Sequence, residues 1–391
     1  MEGISVLSEE AELEQFVGEW NRLLQESSSG SIFLTWEWVS AWWRAYQGDR
    51  KLWILKVKRN GSLVGLAPLC RRNIRKYGLV SYRALCLIGD GSGDSDYLDI
   101  IAKEGEEEFV ADAMATFIFQ KRDQWDLIVL NEVPETSKNI GLLRKHLGSR
   151  VRYWNEAKAP CTYVDIPSDW DSYLRSLAPR MRTKIRSTLK NLEENYKVAF
   201  VVCREEAELN PRLKSLFDLH DSRWEQSGKN GVFVSEAKRR FYQDMSQLFL
   251  SRKWLRFYSL IVNGCYVAHQ FCFEYQNRMF LLQEGYDPKW TQYSVGNVLR
   301  AYVFRDCIER GLATYDFLGG VTQHKLSWGG RVKQSVRISI GCSKLKNGIF
   351  FYCPKVIDMA KDSLKKWLPN KVLQPIRSLH RILWNSLIIM E

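Results

Sequence analysis

Residues 256–286 read RFYSLIVNGCYVAHQFCFEYQNRMFLLQEGY, and this stretch decides the fold. Arg256–Val262 is rich in β-branched and aromatic residues and reads as a strand. Asn263-Gly264 follows, the pair that best tolerates the two positive φ angles of a type I′ hairpin turn. Tyr266–Tyr275 returns as the second strand, and Arg278–Gln283 makes a third. Working outward, a loop leads to a helix over Val295–Arg310 and a closing strand over Thr314–Leu318.

The first half of the chain repeats this order. Leu52–Lys58 is strand-like, Asn60-Gly61 gives the same turn signal, and Leu63–Arg71 returns. A strand over Arg83–Ile88, a helix over Glu106–Gln120 and a strand over Asp126–Asn131 follow. Identity between the halves is slight, so the repeat is one of pattern. The expectation is a tandem α/β (α+β) fold. Each unit is a mixed, mostly antiparallel sheet with flanking helices. The units span 1–150 and 151–349, and a basic helical tail spans 350–391. Helices precede each unit: Glu9–Gln25 and Thr35–Tyr46 in the first, with Thr35 as N-cap, then Trp170–Tyr196, Pro211–Gln226 and Ser235–Ser251 in the second. Val151–Pro167 reads as a connecting strand and linker.

A chain of 391 residues with 45% apolar content predicts two well-packed globular units. The start, MEGISVLSEEAELEQF, is acidic and has no apolar signal region. Apolar runs stay well short of the roughly 18–20 residues that span a bilayer. Nine cysteines without a CxxC pair point to reduced thiols and a cytoplasmic placement. Cys265, His269 and Cys272 lack a second ligand pair, so no metal is expected. The net charge is +12, and from Lys344 onward nine Lys/Arg face three acids. That excess suggests an anionic partner: nucleic acid, a membrane surface or a phosphorylated ligand. From Pro375 the apolar residues Ile376, Leu379, Leu383 and Leu387 recur at helical spacing, with Arg377 and Arg381 elsewhere on the wheel. This basic amphipathic tail predicts peripheral contact at the inner membrane face.

Several segments resemble a known family. LFDLHDSRW (216–224), LLQEGYDPKW (281–290), YSVGNVL (293–299), YDFLGG (315–320) and HKLSWGG (324–330) look like the CelD-like acetyltransferase branch of the GNAT superfamily, found with polysaccharide-biosynthesis genes. FLTWEWVSAWWRAY (33–46) and LVGLAPL (63–69) are similar to the same branch. That branch is related to Fem-type aminoacyltransferases, which also carry two GNAT units. The resemblance implies acyl transfer with acetyl-CoA or another acyl-CoA as co-substrate. It places the donor between two splayed parallel strands, with its pyrophosphate at the N-terminus of the next helix, here Tyr293, Ser294, Val295, Gly296 and Asn297. Free N–H groups and the positive dipole end favour an anion there. Ser294 is expected to cap that helix. The segment TQYSVGN departs from the usual phosphate loop by holding one glycine.

Two carboxylates are candidate catalytic residues: Glu284 at a strand end, and Asp316, an acid in an apolar strand. Substrate contacts are expected from His220, Arg223 and Trp224 on one helix, and from Tyr286, His324 and Lys325 in loops. His269, alternating with Phe271 and Phe273, reads as core. The basic helix carrying Arg180, Arg182, Lys184, Arg186 and Lys190 reads either as a solvated face or as a contact for an anionic acceptor or tRNA. The first half's loop Gly89–Asp96 is acidic and would repel a pyrophosphate, so that half is expected to be donor-free and to shape the acceptor cleft. The leading expectation is acyl transfer to an amine or hydroxyl of a polysaccharide-related sugar or amino-sugar, free or lipid-linked. The alternatives are a Fem-like aminoacyl-tRNA-dependent transferase and a non-catalytic membrane-associated scaffold.

Overall fold

The computed structural model describes residues 3–76, 80–225, 231–342 and 347. The amphipathic tail, with its proposed membrane contact, lies outside them.

The first half runs β1 (Gly3–Leu7), α1 (Glu10–Gln15), α2 (Val17–Gln25), α3 (Trp36–Tyr46), β2 (Lys51–Leu52), β3 (Ile54–Arg59), β4 (Ser62–Ala67), β5 (Leu69–Lys76), β6 (Val80–Leu87), β7 (Ile101–Ala102), α4 (Glu107–Gln120), β8 (Leu127–Pro134), α5 (Lys138–Leu147) and β9 (Arg152–Asp165). The second runs α6 (Trp170–Ser176), α7 (Pro179–Asn195), β10 (Val198–Val202), α8 (Leu209–Glu225), α9 (Glu236–Ser251), β11 (Leu255–Val262), β12 (Cys265–Tyr275), β13 (Arg278–Tyr286), α10 (Val295–Glu309), β14 (Thr314–Gly319), α11 (Gln323–Ser327) and β15 (Arg331–Gly341).

The hairpin chemistry holds in both halves. Asn60 and Gly61 adopt φ of 51° and 82°, and Asn263 and Gly264 adopt 51° and 83°. Thr35 accepts from the amide of Trp38, the N-cap geometry expected of it, and Ser235 caps its helix in the same way by accepting from Lys238. Two expected elements are broken instead. The return strand splits at Pro68, which has no N–H to continue the ladder, so β4 enters a four-stranded sheet while β5 enters the large one. The helix over 170–196 splits into α6 and α7, because Pro179 starts a new helix at its first turn.

Both halves carry the same parallel pair. β6 lies beside β8 over Ala84–Cys86 and Leu127–Val129. β13 lies beside β14 over Arg278–Phe280 and Thr314–Asp316. The described strands then join as one eleven-stranded sheet, β10-β11-β12-β13-β14-β9-β15-β8-β6-β5-β2. The join is an exchange. β9, the connecting strand that the sequence placed at the start of the second unit, follows α5 of the first half and pairs with β14 of the second. β15, at the end of the second half, pairs with β8 of the first. β9 and β15 pair with each other along most of their length.

An aromatic knot adds to this. The Trp38 ring on α3 meets Phe33 at 4.7 Å, Phe241 on α9 at 5.0 Å and Phe273 on β12 at 5.8 Å. One buried core thereby runs through both halves. The Trp38 indole also donates to Ser95 Oγ at 3.0 Å, which ties the first half's acidic loop to this core.

Candidate active site

The β13–β14 pairing lasts only three residues. Beyond Phe280 and Asp316 the strands part, and between them opens a cavity of about 1450 Å³. Its second-half wall is made by Leu281–Glu284 and Tyr286, by Ser294–Asn297 and Arg300 on α10, by Phe317–Gly320, and by His324 and Lys325. The opposite wall is made by Arg72, the loop around Gly89–Asp96, Asn131 and Glu132 of the first half, with Lys158 on β9 and Arg337 on β15.

The α10 N-terminus faces this cavity. Val295 and Gly296 occupy its first turn, where backbone N–H groups have no helical acceptor. No acid lies in that turn. Ser294 is left-handed, at φ 50°, and makes no side-chain cap, contrary to the sequence expectation. The helix start is therefore open to an outside anion. Tyr293 points away, with its hydroxyl 2.7 Å from that of Tyr196. The equivalent end of the first half is filled. There the Glu107 carboxylate accepts from the Gly105 amide at 2.9 Å and pairs with Lys138 at 2.9 Å.

Glu284 lies on the cavity wall and is ion-paired with Arg300, while Gln270 Nε2 donates to it at 3.3 Å. Arg300 is only 2% exposed and also donates to His324 Nε2. Its guanidinium lies 5.3 Å from the Phe317 ring and 5.4 Å from that of Trp328. Arg300 was not among the sequence candidates. A lone cation in the apolar helix VGNVLRAYVF was a readable signal for it.

Asp316 is 1% exposed and sits behind the cavity wall. It accepts from Lys333 Nζ at 2.7 Å, from the Tyr97 hydroxyl at 3.1 Å and from the Leu318 amide at 2.8 Å. Those bonds hold Leu318 at φ 58°, a left-handed conformation that a branched side chain reaches only under constraint. Lys325 completes the turn by donating to the carbonyls of Phe317, Leu318, Gly319 and Gly320. Burial lowers its pKa. Of the other expected contacts, Tyr286 and His324 line the cavity. His220 does not, being buried edge-on to Phe233 at 5.0 Å. The side chains of Arg223 and Trp224 lie outside the described set. His269 is core, held between Ser259 and Ser215 at 2.8 Å each, and burial lowers its pKa to about 3.

The acidic loop of the first half lines the cavity, and what holds its carboxylates was not legible in the sequence. Asp94 accepts from Lys238 at 2.9 Å and from the Tyr46 and Tyr242 hydroxyls. Asp90 accepts from Asn131 Nδ2 at 2.8 Å and faces Arg72 at 3.6 Å. Asp96 accepts from the Gly319 amide at 3.1 Å. The loop is thus fixed against the tip of β14, on the other half of the molecule.

With this geometry in view, residues 179–326 match the Acetyltransferase (GNAT) domain family. The mixed α/β fold, with its large and mostly antiparallel sheet, is GNAT-like. Among solved structures the chain is similar to FemX, with a TM-score of 0.61 and 11% identity, over 85% of this chain and 97% of that one. It is also similar to L-PGS from Bacillus licheniformis, with a TM-score of 0.52 and 12% identity over 85% and 95% of the two chains. A conserved protein of unknown function from Bacteroides thetaiotaomicron gives a TM-score of 0.51 at 13% identity, over 87% and 100%. Identities this low make the likeness one of fold. The comparison with curated proteins returned no match.

Proposed function

We infer that the chain is an acyltransferase that takes its acyl group from an acyl-CoA bound in the second half. The observation that carries this reading is the asymmetry between the two parallel pairs. β13 and β14 part onto an open α10 N-terminus, whereas the matching α4 N-terminus is occupied by Glu107. When bound, an acyl-CoA would supply a thioester carbon open to attack. The amides of Val295 and Gly296 would hold its pyrophosphate. The first-half wall would hold the acceptor, an amine or hydroxyl of a saccharide or amino-sugar. Arg300, locked between Glu284 and His324, would keep the polar floor of the cavity rigid.

Calorimetry with CoA tests the reading. A Cβ built at Gly296 meets its nearest neighbour, the Tyr286 ring, at 3.5 Å, an ordinary contact, so Gly296→Glu keeps the fold. It adds a carboxylate like those in the first turn of α4. Binding is expected to weaken at least about tenfold, the scale of one uncompensated like charge at a helix N-terminus. Absence of CoA binding by the natural sequence, together with tight binding of aminoacyl-tRNA, would replace this reading with the Fem-like one.

A further inference from the structure

Three carboxylates stand around the tip of β14, and they differ in what compensates them. Glu284 is matched by Arg300 and Asp316 by Lys333. Asp96 makes no ion pair among the described residues. It lines the cavity, 8% exposed, and its Oδ1 would be 3.4 Å from a Cβ at Gly319.

We propose that Asp96, carried by the first half, is the catalytic residue that takes the proton from the acceptor attacking in the second half's cavity. This inference rests on the acyl-CoA reading above. The acceptor's nitrogen or oxygen forms a bond to the thioester carbon, the carbon–sulfur bond breaks, and CoA leaves as its thiolate. The proton lost by the acceptor passes to the Asp96 carboxylate, so charge and atoms balance.

The surroundings suit that task. Burial is the main cause that raises the Asp96 pKa, to about 6, and the negative charges of Glu132 on β8 and Asp316 on β14 add to it. The Gly319 amide and the Cys161 thiol on β9, whose Sγ donates at 3.5 Å, oppose the rise. The other charged and titratable groups near it are already engaged. Arg337 on β15 pairs with Glu132 at 2.7 Å, Lys333 on β15 pairs with Asp316, and Lys325 on α11 donates to carbonyls. Tyr97, next in sequence, donates to Asp316. A carboxylate titrating just below neutral is ionised at pH 7 and still basic enough to accept a proton.

A second observation on the same wall points to a ligand rich in hydrogen-bond donors. Asp90 has a side chain 5% exposed, and its Oδ2 faces the Arg72 guanidinium at 3.6 Å without making a hydrogen bond. The cation offsets part of the cost of burying that oxygen, and a hydroxyl or amine in the cavity would supply the hydrogen bond it lacks.

Water serves as the acceptor in the test, so no acceptor need be known. Hydrolysis of acetyl-CoA is followed from pH 4.5 to 8.5 in the natural protein and in Asp96→Asn, with CoA affinity measured by calorimetry. The Asp96 carboxyl is titrated by carbon-13 NMR, its signal assigned by its loss in the variant. The side-chain amide oxygen introduced by Asp96→Asn can still accept from Gly319, so the fold and CoA affinity are kept. The expected result is a rate that rises with an apparent pKa near 6 in the natural protein, matched by the NMR titration. In Asp96→Asn that rise is lost and the rate at pH 8 falls about 10²-fold, the usual scale for losing a positioned base. An unchanged rate profile in the variant overturns the proposal. So does an Asp96 carboxyl that titrates in the ordinary aspartate range. A natural protein without CoA binding would sink the donor reading alone, and the titration in the free protein would still decide the role of Asp96.

Discussion

Glu284 and Asp316 illustrate how a charged residue in an apolar context can be recognised before its task can be. Both stand at the ends of apolar strands, and both matter to the site through the cations they hold. Arg300 is almost wholly buried and keeps its charge because Glu284 neutralises it; Coulombic attraction to Glu284 favours the charged guanidinium against the cost of burial. Glu284→Gln leaves that guanidinium without its carboxylate, and the expected loss is on the order of 3 kcal/mol. Asp316→Asn removes the charge that Lys333 and the Leu318 amide answer. It is expected to lower the thermal midpoint as well, by less, because Lys333 is one-third exposed and can return to water. Thermal denaturation of both variants beside Asp96→Asn checks this. Glu284→Gln and Asp316→Asn should melt early, and Asp96→Asn should melt no earlier than the natural chain. Removing an acid whose folded pKa is raised relieves a cost that is absent at low pH and grows as pH rises toward that pKa.

At the scale of elements, the two halves solve the same packing problem differently. In the second half β12 runs unbroken beside β11 and β13. In the first half Pro68 divides the equivalent strand, and β4 turns away to pack under α4. The closeness of that contact is set by Gly65. A Cβ there would meet Val110 Cγ1 at 2.4 Å, which no side-chain adjustment in a filled core accommodates cheaply. Gly65→Ala is therefore expected to destabilise the protein by about 2 kcal/mol, as overpacking does. Val110→Ala in the same chain should recover much of that loss, although alone it costs stability by leaving a cavity. A double-mutant cycle in urea measures the coupling, and additive costs would show that the two residues do not share the space.

At the scale of the whole molecule, the exchange of β9 and β15 makes each half incomplete without the other. β8 has β15 on one side and β14 has β9, so separating the halves would strip backbone partners from both. The aromatic knot at Trp38 and the acidic loop held at β14 add contacts across the same boundary. A chain of this size commonly unfolds in steps. Here a single cooperative transition is expected, with fluorescence and far-ultraviolet dichroism giving coincident midpoints. Two separated transitions would mean that the shared sheet does not couple the halves. The same coupling has a functional side: a catalytic group from one half can face a donor held by the other because the sheet joining them is continuous.

The local chemistry of this chain was legible from its sequence because it acts over a few residues. Asn-Gly at 60–61 and 263–264 specifies its turns through backbone sterics, and Thr35 and Ser235 cap helices whose amides lie three residues away. The repeat of hairpin, strand, helix and strand, and with it the fold class, follows from such signals, whereas the open α10 N-terminus does not, because Ser294 was expected to cap it. Pro68 and Pro179 were equally local, and their breaks in strand and helix could have been read from the missing N–H. The pairing of β9 with β14, and of the Gly319 amide with Asp96 at a separation of 223 residues, was decided only in three dimensions. No periodicity encodes which strand end a distant loop will face. Whether a carboxylate forms an ion pair, as Glu284 does with Arg300, or forms none among the described residues, as Asp96 does, depends on that placement. Burial and neighbouring charge set its proton affinity, and both are properties of the assembled sheet.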